Sequence, residues 1–186
     1  MQKDQTKMMI LAALFVAITA VCAQIRIALG PVPFTLQIFS ISLMGMLLGK
    51  RWGAISALGY LLLGAFGAPV FSGFQGGLQA IVGKTGGYLL AFVPAAYVIG
   101  WIFEQGRITV WKAFLANLLG LLIIYAGGVS QLKIVLNVPW ETAFQWGVVP
   151  FVIPDSIKLV LASMLGVKII HHLANTGLRP IQKFEN

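Results

Sequence analysis

From Met8 to Ile25 the chain carries no charged residue. An apolar helix of roughly 20 residues crosses the hydrocarbon of a bilayer, so this run alone narrows the possible folds. A water-soluble alternative needs somewhere to hide such segments. With 186 residues, 59% of them apolar and 10% charged, one soluble core cannot bury that much apolar surface. The mean hydropathy of +0.90 points the same way. Within lipid every backbone polar group must find a partner in the chain itself, which leaves helices or a closed barrel. Barrel strands alternate apolar and polar residues. Neither Met8–Ile25 nor Leu115–Tyr125 does so, and the expected fold is all-α.

Six spans are expected in one membrane domain covering 1–186, at roughly 6–28, 35–50, 53–67, 86–104, 108–135 and 144–172. The second and third are short and interrupted by glycine. Lys3 and Lys7 before an apolar stretch imitate a secretory signal, but the stretch is long and no polar domain follows it. It reads as a retained first helix. With both termini inside the cell, the inner side carries Lys3, Lys7, Lys50, Arg51, Arg107, Lys112, Lys168, Arg179 and Lys183. The outer half carries Arg26, Lys84, Lys133 and Lys158. That bias follows the positive-inside rule, and Trp52, Trp101 and Trp111 against Trp140 and Trp146 fall where aromatic belts belong.

The charges also exclude other classes. A formal charge of +8 spread over short turns is a topology signal rather than a nucleic-acid patch. Cys22 is the single cysteine, so no disulfide framework exists. His171 and His172 are adjacent and point apart on a helix, with no carboxylate or thiol to complete a metal set. A membrane enzyme would need a nucleophile–base set or a metal cluster that the sequence lacks.

Chemistry concentrates in two places. The loop Ala68–Thr85, expected outside between spans three and four, is rich in glycine. Its Gly83-Lys84-Thr85 imitates a phosphate loop, but Leu78 stands where that motif requires glycine. Its glycines instead permit sharp turns that let it fold as a lid. Gln79 and Tyr88 bracket this loop and offer hydrogen bonds beside apolar bodies. The second place is Pro150–Lys158, where two prolines lead into Asp155 and Lys158. Three residues apart, these share a helix face and can touch. Such a pair either satisfies itself or faces a cavity and reads a polar ligand. Phe34, Phe71, Phe74 and Phe151 suit an apolar pocket wall or a lipid-facing rim equally. Ala13 and Ala17 form a small-residue pair that lets a second backbone approach, from this chain or from another.

Four stretches, in order and in register, resemble the BioY family of biotin-specific substrate-binding (S) components of energy-coupling-factor transporters. They are Gly30–Gln37 (G-P-V-P-F-T-L-Q), Leu62–Phe71 (L-L-G-A-F-G-A-P-V-F), Lys84–Phe92 (K-T-G-G-Y-L-L-A-F) and Gly147–Lys158 (G-V-V-P-F-V-I-P-D-S-I-K). Lys84 departs from an expected proline, and Pro154 from a common glycine. The resemblance implies a six-helix bundle in a prokaryotic plasma membrane with an outward-opening biotin site, biotin being cargo and not a cofactor. It places Asp155 and Lys158 on the ligand; Gln79, Tyr88, Lys84 and Thr85 are expected about it from their own place around the glycine-rich loop. Loops Pro33–Gln37 and Gly73–Thr85 become the cover, with Phe34, Gln37 and Phe74 as lid residues. It assigns Ala13 and Ala17 to docking a transmembrane coupling (T) protein, which joins two cytoplasmic ATPases. A stand-alone secondary transporter of a small organic anion is the alternative, although no internal repeat of the kind many such folds carry is visible.

Overall fold

The computed structural model describes residues 2–28 and 30–175, the side chains of 2, 3, 174 and 175 apart. Of the inner charges counted above, Arg179, Lys183 and the side chain of Lys3 lie outside that range. Helix dominates, as lipid demands of a backbone without water. The helices are α1 (Gln2–Gln24), α2 (Gln37–Ala65), α3 (Leu78–Val82), α4 (Gly86–Phe103), α5 (Val110–Leu136), α6 (Trp140–Gly147) and α7 (Val152–Asn175). Three of them, α1, α4 and α5, together with the stretch Trp140–Leu173, are long and apolar enough to cross a bilayer.

The α2 segment is a hairpin, not a rod. Gly49 adopts φ 73° and ψ −179°, a backbone that reverses the chain and that side-chain-bearing residues rarely adopt. Gln37 Nε2 consequently donates to Tyr60 Oη at 2.8 Å, whereas a straight helix would hold these residues about 35 Å apart. The two legs correspond to the expected spans two and three. Glu104, just past α4, closes the turn: it accepts from Lys50 N at 2.9 Å and pairs with Lys50 Nζ at 3.2 Å.

Counting both legs of α2, six segments run in alternating directions: α1, two legs, α4, α5 and α7. The bundle is the expected all-α integral membrane fold. Polar seams join its inner helices, with Thr19 Oγ1 2.7 Å from Ser40 Oγ and Ser56 Oγ donating to Ala12 O at 2.7 Å. The outward faces are apolar: Met9, Ile10 and Leu14 of α1 are more than half exposed, as are Ile134 and Ile153. In water such surface would associate; facing acyl chains, it is solvated.

Two local features depart from plain helix. Arg26–Ala28 (β1) and Pro33–Thr35 (β2) pair antiparallel, with Arg26 opposite Thr35. Pro31 and Pro33 keep this stretch out of the helical region. The expected span 144–172 is divided into α6, a 3-10 turn at Val149–Phe151, and α7. Pro150 in that turn cannot continue a hydrogen-bonded helix from α6.

Candidate functional site

The 3-10 turn re-aims the chain so that α7 starts beneath the β ribbon. Pro154 falls in the first turn of α7, where a missing N–H costs nothing. Asp155 follows, close enough to the helix N-terminus for its negative charge to be favoured. Lys158 lies one turn on, and its Nζ donates to Asp155 Oδ1 at 2.7 Å. The other carboxylate oxygen, Oδ2, accepts from Tyr125 Oη of α5 at 2.7 Å. Lys158 Nζ also donates to Thr35 O at 2.5 Å and sits 3.6 Å from the centre of the Phe34 ring. Asp155 is 1% exposed and Lys158 5%. Removing two charges from water is costly, and only a fully hydrogen-bonded pair offsets that. This one draws partners from α5, α7 and the β ribbon.

The pair forms the deep wall of a cavity of about 210 Å³. Phe34, Phe71, Phe92, Phe151, Leu89 and Ile124 make most of its surface apolar. Toward the mouth stand Arg26 and Lys84, both exposed, and both without an acidic partner among the described residues. Ser72, also lining the cavity, has a buried Oγ with no hydrogen-bond partner. The arrangement can hold a small, largely apolar molecule with polar groups at both ends.

Of the residues singled out from sequence, Asp155, Lys158, Tyr88, Lys84, Thr85, Phe34 and Gln37 all line this cavity. Tyr88 Oη is spent on Gly147 O at 2.9 Å, tying α4 to α6. Gln37 links Thr35 Oγ1 at 2.9 Å to Tyr60, whose hydroxyl donates to Val70 O, so it braces one cover loop against the other. Gln79 and Phe74 do not line the cavity. Gln79 sits on the exposed side of α3, and Phe74 turns outward with φ 58° and its N–H on Gln24 Oε1. Sequence reading did not single out Tyr125, whose only signal was a hydroxyl within an apolar run. Ser72 and Phe92 were also missed. Ala13 and Ala17 both lie on the exposed face of α1, while Ala12, Phe15 and Thr19 face the bundle.

A model of the BioY family matches residues 1–175. The chain is 44% identical over 164 residues to the biotin transporter BioY of Thermotoga maritima, covering 88% of this chain and 95% of that one. It is 42% identical over 159 residues to a probable biotin transporter BioY of Pyrococcus horikoshii, covering 86% and 93%. The fold is similar to a 2.1 Å crystal structure of the S-component for biotin from an ECF-type ABC transporter. That likeness has a TM-score of 0.83 and 26% identity, over 91% of this chain and 93% of that one.

Proposed function

Because the chain belongs to the BioY family, we propose that it is the biotin-binding S component of an ECF-type ABC transporter, seated in a prokaryotic plasma membrane with its cavity outward. Both ends of the chain then lie inside the cell. The observation that carries the reading is the two-ended character of one cavity: a self-neutralised charge pair deep inside, and uncompensated cations at the mouth. Biotin is built the same way, with a ureido ring at one end and a carboxylate at the other, joined by an apolar body.

The chemistry orients it. A ligand carboxylate beside Asp155 would be repelled, whereas ureido N–H groups donate to it. The ligand's carbonyl can accept from Lys158. The carboxylate tail then reaches Arg26 and Lys84, and Ser72 Oγ gains a partner along the way. Binding needs no catalytic group, and none is invoked. Energy comes from two ATPases by way of a T protein, and the T protein docks on the exposed Ala13–Ala17 stripe, whose small side chains let a partner helix come close.

Calorimetric titration of the purified protein with biotin and with its methyl ester tests the reading. Native protein is expected to bind biotin and to lose about tenfold in affinity for the uncharged ester, on the order of 1.4 kcal/mol. Arg26→Ala should lower biotin affinity while leaving the ester unaffected. Absence of biotin binding by the native protein refutes the function. Equal binding of acid and ester refutes the orientation.

A further inference from the structure

We propose that Gln131, which does not line the cavity, is a positioning residue that latches the cavity's cover through the two N–H donors of its carboxamide. The proposal deepens the reading of this cavity as the biotin site and rests on it.

The cover includes α3 and the turn that follows. Ala80 of α3, Lys84 and Thr85 all line the cavity. Only Ala80 and Ile81 of α3 pack against the core, and only in part. None of its residues is buried, and Leu78 and Val82 are 68% and 69% exposed. Five residues also make too short a helix to be stable alone. Its last carbonyls lack partners within the helix, as at any helix C-terminus. Gln131 of α5 serves one of them and the turn beyond: Nε2 donates to Ile81 O at 2.6 Å and to Gly83 O at 2.7 Å, which also accepts from Gly86 N at 3.1 Å. One amide nitrogen has two hydrogens, so both are committed to the cover.

The start of α4 is closely approached from both sides. A Cβ on Gly86 would run first into Ile81 O and then into Gln131 Nε2 at 2.6 Å, and one on Gly87 would run first into Gly127 O and then into Gln131 Cβ at 2.7 Å. These two glycines let the backbones of α3 and α5 close on α4, and the side chain of Gln131 lies within that junction. Gln131 itself lines a groove on the outer face between α4 and α5, along with Leu90, Pro94 and Ile134. A bound ligand would leave that face untouched. Its influence on the ligand is exerted through α3, and so on release more than on capture.

Three substitutions separate donation from bulk. Gln131→Met keeps length and volume without a donor. Gln131→Glu is nearly isosteric but turns acceptors toward two carbonyls. Gln131→Lys keeps a donor. Losing two hydrogen bonds should speed release of labelled biotin by about tenfold in the Met and Glu variants, with association within about threefold of native. Release from the Lys variant should stay within about threefold of native. A side chain acting by packing alone would reverse that order, with Met near native and Lys fast, and would overturn the proposal. A second measurement needs no ligand. In a Cys22→Ala background, an Ala80→Cys thiol should react several-fold faster with a water-soluble maleimide once Gln131→Met is added. Unchanged reactivity would overturn the latch even if biotin binding by the native protein failed, so the two readings fail separately.

Discussion

Two polar rungs join α5 to α7, and they differ in kind. The upper rung is Tyr125 to Asp155, extended by Lys158. The lower is Asn117 Nδ2 to Ser163 Oγ at 3.0 Å, with Met46 Sδ at 3.6 Å. Eight residues separate the rungs on each helix, about 12 Å along the axis. Both are buried and both cross the same interface. Only the upper one is charged, and only it faces the cavity. The lower is neutral and encased, and Asn117 Oδ1 has no partner there. A polar group inside a membrane bundle is therefore not by itself a functional mark. Charge and an adjoining cavity together distinguish the rung proposed to bind ligand from the one that glues helices.

Substitutions at the two levels can break or sharpen this contrast. The largest effect is expected from Lys158→Met, which strands the Asp155 carboxylate and should cost about 3–5 kcal/mol of stability. Biotin affinity should fall at least about tenfold. Adding Asp155→Asn should restore most of the melting temperature and none of the binding. Recovery of both together would make the rung merely structural. Tyr125→Phe should come next: loss of a hydrogen bond to a charged acceptor is worth roughly 1.5–3 kcal/mol, read as weaker biotin binding by titration. Asn117→Leu should cost about 0.6 kcal/mol of stability, typical of a hydrogen bond between membrane helices, and leave binding intact. If it weakened binding as much as Tyr125→Phe, the contrast would collapse. Ala13→Leu with Ala17→Leu should have no effect on binding yet abolish uptake in cells carrying the whole transporter.

The sequence exposed this contrast only in part. Asp155 and Lys158 were legible as a contacting pair because three residues along a helix fix a shared face. Their position after two prolines marked them as unusual. Tyr125 was not legible, because a lone tyrosine in an apolar run acquires a direction only from the register of α5 against α7. The six segments could be read from hydropathy, and the short legs of α2 from their glycines. The separate α6 was harder to foresee, since the apolar character continues across the break at Val148–Phe151. Gln79 and Phe74 show the opposite difficulty. They flank the cover in sequence, but the left-handed backbone at Phe74 and the exposed side of α3 turn them away from the cavity.

The reversal at Gly49 has a consequence for the membrane itself. From Ser40 to Gly49 the first leg of α2 is buried without interruption, so it scarcely meets lipid. The second leg, Lys50–Ala65, does meet lipid through Ile55, Leu58, Leu62 and Leu63. Its 16 residues extend only about 24 Å, several ångströms less than the roughly 30 Å of hydrocarbon in a typical bilayer. A span that short is matched by thinning of the lipid along that flank or by snorkelling of Lys50 and Arg51 at its end, at a fraction of a kcal/mol per ångström. The flank formed by the second leg of α2 is therefore where the bundle is least matched to a bilayer of typical thickness.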